Sequence, residues 1–172
     1  MGRSSKRSLI INRGRTPGSY TAWPHACARS EHYMKLSAHA KALLLDFLSQ
    51  YNGNNNGNLC CAFKLLKPSG WRSRTTLEKA RSELETTGWI VRTMQGGRNK
   101  PNLYALTFFK INGNEKLDVG ETDKPLGFWQ HGCNPWLSDK QLVRPKMIFS
   151  KYSSCATQGT TCTPVGQHES LN

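Results

Sequence analysis

The stretch Trp71-Arg72-Ser73-Arg74-Thr75-Thr76-Leu77-Glu78-Lys79-Ala80-Arg81-Ser82-Glu83-Leu84-Glu85-Thr86-Thr87-Gly88-Trp89-Ile90-Val91-Arg92, continued by Thr93-Met94-Gln95-Gly96-Gly97-Arg98-Asn99-Lys100-Pro101-Asn102-Leu103-Tyr104-Ala105-Leu106-Thr107, decides the fold. Ser73 can cap a helix, because its hydroxyl oxygen accepts an amide hydrogen that the first turn leaves unpaired. Thr75 with Glu78 is a rival capping pair. Leu77, Ala80 and Leu84 recur at spacings of three and four and form the buried stripe of that helix. At about 100° per residue, Thr75, Lys79 and Ser82 point the opposite way. Gly88 is the expected left-handed stop. Residues 89–95 then read as a strand and residues 103–109 as its antiparallel partner. The connection Gly96-Gly97-Arg98-Asn99-Lys100-Pro101-Asn102 turns on glycine, and Pro101 keeps the returning strand from starting early. Capped helix, stop, strand, cationic turn and strand make up the second half of a winged helix.

Working outward, a short second helix is expected at about residues 60–67, with Cys61, Phe63, Leu65 and Leu66 available for the core. Pro68-Ser69-Gly70 breaks it and opens the turn of a helix-turn-helix. Upstream, Ser37 caps a first helix. Ala40, Leu43, Leu44, Phe47, Leu48 and Tyr51 form its apolar stripe, and Gly53 within an Asn/Gly run ends it. Asp46 is expected to lie exposed on this helix. The fold class is thus α+β: a winged helix-turn-helix of three helices and a two- or three-stranded wing, with a flexible N-terminal arm and a C-terminal tail. Residues 1–32 read as the basic arm, with a short apolar anchor at Leu9-Ile10-Ile11. Residues 33–113 read as the DNA-binding domain, 114–151 as an irregular extension, and 152–172 as a disordered tail rich in Ser, Thr, Gly and Gln. Within the extension, Leu117-Asp118-Val119 is a candidate strand, and Phe128, Trp129 and Trp136 are candidates to dock on the core.

The chain of 172 residues carries a formal net charge of +13. Residues 1–30 hold six Lys/Arg and no acid, residues 31–113 hold twelve basic and five acidic residues, and residues 114–172 hold six of each. All of the excess therefore lies on the arm and the candidate domain, which points to a polyanionic partner. No apolar run approaches the roughly 18 residues that span a bilayer, and Leu9-Ile10-Ile11 is too short for a signal peptide. A cytoplasmic, nucleoid-associated protein with no membrane partner is expected. Cys27, Cys60, Cys61, Cys133, Cys155 and Cys162 read as free thiols in that compartment. Cys60 and Cys61 look like small buried hydrophobes inside the second helix. His25, Cys27 and His32 cluster, and His131 lies near Cys133, but four ligands at structural-zinc spacing are not assembled. No phosphate loop, paired catalytic histidines or nucleophile with a base stands out. Neither enzymatic activity nor a cofactor is expected.

Ser73, Thr76-Leu77, Ala80, Leu84 and Gly88-Trp89-Ile90 resemble the recognition-helix pattern of MarR-like and GntR-like bacterial regulators. Over residues 36–110, the segments Ala40-Lys41-Ala42-Leu43-Leu44-Leu45-Asp46, Gly70-Trp71-Arg72-Ser73-Arg74 and Gly96 to Thr107 resemble small helix-turn-helix proteins of bacterial mobile elements and prophages. That resemblance implies a DNA-binding role. The residues read by themselves nominate Arg72, Ser73, Arg74, Thr75, Lys79 and Ser82 on the third helix, and Arg98, Asn99 and Lys100 on the wing. The expected function is sequence-specific binding of double-stranded DNA as a transcriptional regulator, with either a homodimer or a second contact by the arm widening the site that is read. Two rivals remain: a replication or partition initiator bound at an origin, and a protein-docking module that meets a host protein through the aromatic segment 128–136. The bland reading of the third helix is a solvated face with Arg74–Glu78 and Arg81–Glu85 pairs.

Overall fold

A computed structural model describes residues 20–138. The readings made for the basic stretch from Arg3 to Arg15, for Leu9 to Ile11, for Cys155 and Cys162, and for the tail lie outside those residues. The described chain is α+β. Its helices are α1 (His25–Ala28), α2 (Glu31–Met34), α3 (Ala38–Gln50), α4 (Phe63–Leu66), α5 (Arg74–Thr86) and α6 (Pro135–Ser138). Its strands are β1 (Leu59–Cys60), β2 (Ile90–Met94) and β3 (Leu103–Leu106), paired antiparallel in the order β1-β3-β2. Short 3-10 turns occupy Lys67–Ser69 and Phe128–Gln130.

The two long helices form where local signals predict them. Ser37 caps α3 by accepting the Ala40 N–H, and Ser73 caps α5 by accepting the Thr76 N–H. Ala40, Leu43, Leu44, Phe47 and Leu48 are buried on α3, as are Leu77, Ala80 and Leu84 on α5, and the two helices pack together. The Glu83 carboxylate of α5 accepts both the N–H (2.7 Å) and the hydroxyl (2.6 Å) of Ser37, so α5 also holds the start of α3. A negative group there complements the positive end of the helix dipole. Asp46 is not freely exposed: half-buried, it accepts the Trp71 indole N–H at 2.6 Å and ties the entry of α5 to α3. Gly88 ends α5 with φ of 77°, and the Trp89 N–H returns to the Leu84 carbonyl at 2.9 Å.

The second helix is shorter than residues 60–67. Leu59 pairs with Tyr104 and Cys60 with Leu103, and Gln50 grips Cys60 through both its N–H (2.9 Å) and its carbonyl (3.1 Å). Tertiary pairing thus draws Cys60 into an extended strand, and the helix starts at Phe63. Cys61 and Leu66 are buried, whereas Cys60 is half-buried and Leu65 lies on the surface. Residues 20–32 belong to the fold rather than to an arm. Cys27 is buried, Trp23 meets Tyr33 and Phe108, and the Thr21 hydroxyl donates to the carbonyls around the end of α3. Residues 117–119 form no strand: Asp118 touches the C-terminal end of β2 through its N–H to the Thr93 carbonyl (2.8 Å), and its carboxylate accepts the Gln95 N–H (2.8 Å).

The sheet has two covered faces, as strand alternation requires. Leu59, Ile90, Tyr104 and Leu106 join the helical core. Val91 and Ala105 face the other way, into a smaller cluster with Ile111, Val119 and Phe128. The irregular extension supplies that second cover, and Trp129 stacks on Trp89 at 5.4 Å between ring centroids. Asn56 is fully buried. Its amide donates to the carbonyls of Leu106 (2.9 Å), Phe109 (3.2 Å) and Lys110 (2.9 Å), and its side-chain oxygen accepts the Leu106 N–H (2.8 Å).

Candidate nucleic-acid interface

Thr75, Lys79 and Ser82 are all exposed on α5, opposite the Leu77/Ala80/Leu84 stripe. Arg72, Ser73 and Arg74 are exposed at its start. Ser73 has a structural task already, since its hydroxyl oxygen is the cap. The Arg74–Glu78 pair does not form: Arg74 lies over the Phe63 ring at 5.8 Å, and Glu78 accepts from Arg81 at 2.8 Å. Arg72 and Lys79 enter no ion pair among the described residues.

The β2–β3 turn is closed by reciprocal bonds between Gly97 and Lys100, each 3.1 Å. Arg98 and Asn99 form the tip, with Asn99 at φ of 66°, a backbone region that asparagine tolerates better than most residues. Gly96 sits where a Cβ would come within 2.6 Å of the Lys100 carbonyl, and its N–H donates to the Asn102 side chain at 2.7 Å. Arg98, Asn99 and Lys100 are therefore presented to solvent by a turn with built-in support. Between Arg92 and Met94 the β2–β3 register shifts, and the extra residue, Thr93, turns inward to donate to the Gly57 carbonyl at 2.6 Å.

The α5 set and the set on the β2–β3 turn sit on separate elements, joined through Gly88, Trp89 and β2. Two cations between them are withheld from solvent partners. Arg81 donates to Glu78 and, at 2.5 Å, to Glu85; Arg92 donates to Glu85 at 3.1 Å. Burial works against the Arg81 charge, but the Glu78 hydrogen bond and the charges of Tyr104, Glu78 and Glu85 outweigh it and raise its pKa above the ordinary arginine value. Lys64 on α4 and Lys67 in the following turn are exposed and enter no ion pair among the described residues, and sequence reasoning passed over them. The signal was available: both precede the Pro68-Ser69-Gly70 break and lie just ahead of α5.

Phe128 and Trp129 are buried in the fold, so they offer no free aromatic contact to a docking partner. Among the described residues no group of three or more His, Cys, Asp or Glu side chains is placed to hold a metal ion, and His32 packs instead against Gly132. Cys27 and Cys61 are buried thiols, pushed by desolvation up to about 11 and about 12. No helix among the described residues is long and apolar enough to cross a membrane. Comparison with family models, with curated proteins and with solved structures finds no match.

Proposed function

We propose that this chain is a winged-helix protein that binds double-stranded DNA by sequence and serves as a transcriptional regulator of a mobile element or prophage, without chemistry of its own. The observation that carries the reading is the face of α5. Its apolar stripe is buried, and the opposite face holds Thr75, Lys79 and Ser82, with Arg72 at its start free of ion pairs among the described residues. Such a face can place a lysine and hydroxyls against base edges and phosphates in a major groove. The element order and the β1-β3-β2 sheet agree with a helix-turn-helix followed by a wing. Arg98, Asn99 and Lys100 on the wing tip would then meet the neighbouring backbone or minor groove, with Arg74, Lys64 and Lys67 adding phosphate contacts.

A single module of this size reads only a few base pairs, so a homodimer on two half-sites is part of the proposal. Selection of bound duplexes from a random library tests it. Enrichment of a palindromic sequence is the expected result. Binding without enrichment would reduce the protein to a nonspecific coat, and no binding at low salt would overturn the reading.

A further inference from the structure

Glu85 is 5% exposed, and as a buried carboxylate it requires compensation. It receives two arginines from different elements. Arg81, one turn earlier on α5, donates from Nη1 at 2.5 Å; Arg92, from β2, donates from Nη2 at 3.1 Å to one oxygen and 3.2 Å to the other. The chain of contacts runs on in both directions. Arg81 Nε donates to Glu78 at 2.8 Å, on the exposed side of α5 beside Lys79. Arg92 Nη1 donates to the Gln95 side chain at 2.8 Å, at the residue before the wing turn. Two guanidiniums and two carboxylates thus cancel between the two groups of candidate contact residues. A pair within one helix turn is a local contact of little consequence, but the Arg92 link joins helix to strand and is tertiary.

Resting on the DNA reading above, we propose that Glu85 is a specificity-determining residue: it withholds Arg81 and Arg92 from phosphates, so that DNA meets only the cations placed by α5 and the wing. The two arginine side chains keep 19% and 33% of their surface exposed, which leaves them within reach of a polyanion once the carboxylate is neutralised. A guanidinium released from Glu85 is a sequence-blind contact, because phosphates are alike at every base pair. Loss of the Glu85 charge should therefore raise affinity for all DNA and reduce discrimination. A residue that served the fold alone would do the reverse, weakening every complex when replaced.

The experiment uses the full chain and its Glu85→Gln variant, titrated at several salt concentrations on a random-sequence duplex and on a duplex recovered by selection. Tighter binding of the random duplex is expected. Its salt dependence should steepen by about 0.9 for each arginine that reaches a phosphate, and the ratio of selected to random affinity should fall. Adding Arg81→Gln and Arg92→Gln should return the slope to the parent value. Should Glu85→Gln fail to fold by circular dichroism, Glu78→Gln at an exposed carboxylate frees Arg81 Nε alone, and a steepening of up to about 0.9 is expected. An unchanged or shallower slope in the folded variant, with the parent binding normally, overturns the proposal alone. A parent that binds no duplex overturns it together with the DNA reading.

Discussion

Asn56 shows how much a single polar side chain holds in this chain. Its amide donates to the carbonyl at the end of β3 and to two carbonyls beyond it, and its oxygen accepts the Leu106 N–H, while Asn56 itself is fully out of contact with water. Asn56→Asp keeps the shape but turns an oxygen toward those carbonyls. Each buried group left without a partner costs about 1–3 kcal/mol, so a loss of several kcal/mol is expected. Thermal melts should show it, with partial recovery in acid, where a protonated carboxyl can donate once; a variant as stable as the parent would contradict this role. The buried thiols give a second expectation at the same scale. Desolvation raises Cys27 from 9.0 to about 11 and Cys61 from 9.0 to about 12. The folded chain holds these protons to higher pH than the unfolded chain, so above about pH 9 unfolding releases protons and stability falls as pH rises. Their contribution is fully present below pH 9 and is lost as pH climbs through the folded values. Cys61→Ala should flatten the decline in melting temperature between about pH 9 and 11; an equally steep decline in that variant would assign it to other groups.

At the scale of elements, the parts written in local chemistry were the legible ones. Ser73, the Leu77/Ala80/Leu84 stripe and Gly88 state the bounds and the buried face of α5 without help from distant residues. β1 was not legible, because two residues become a strand only through pairing with Leu103 and Tyr104, and Cys60 reads as helix from its neighbours alone. Residues 20–36 are not short of apolar side chains, but two four-residue helices are too brief to show a period; Trp23, Cys27, Tyr33 and Leu36 are held by packing from elsewhere. The exposed candidates on α5 and the β2–β3 turn were legible from helical phase and turn chemistry. Of the ion chain through Glu85, the Arg81 pair was legible at i, i+4, but the Arg92 link was not, since it forms only when β2 turns back beside α5. Gly88 and Gly70 separate two reasons for glycine. Both have positive φ, but a Cβ at Gly88 would lie 2.5 Å from the Cys133 carbonyl, whereas at Gly70 nothing lies within 4 Å. Gly70→Ala should cost only the left-handed backbone term of about 1–2 kcal/mol. Gly88→Ala should cost clearly more, because α5 and the segment bearing Phe128 must also move apart. Denaturant melts that rank the two equally would remove the steric argument.

The whole molecule divides its charge unevenly, and the division guides the last two expectations. Residues 1–15 carry Arg3, Lys6, Arg7, Arg13 and Arg15 and no acid. On the proposed reading, deleting them should lower the salt slope by about 0.9 for each phosphate they would otherwise neutralise, with base preference unchanged. An unchanged slope would show that this stretch stays off the DNA, and a changed preference would make it a groove reader. Helix α5 and the wing should fail differently. Lys79 stands on the face opposite the buried stripe, so Lys79→Ala should weaken binding to a selected duplex by about 1–3 kcal/mol if it meets a base edge, and should spare random duplexes. Arg98 and Lys100 stand on a turn that a helix in the groove would carry alongside the backbone. Replacing both with Ala should weaken selected and random duplexes by similar factors and lower the slope by up to about two. All three side chains are exposed, so melting temperatures should barely move. Titrations on both duplexes across salt concentrations separate these patterns. If Lys79→Ala and the wing variant bind every duplex like the parent, DNA does not use this surface, and the cations of α5 and the wing would belong to the bland reading of a solvated face.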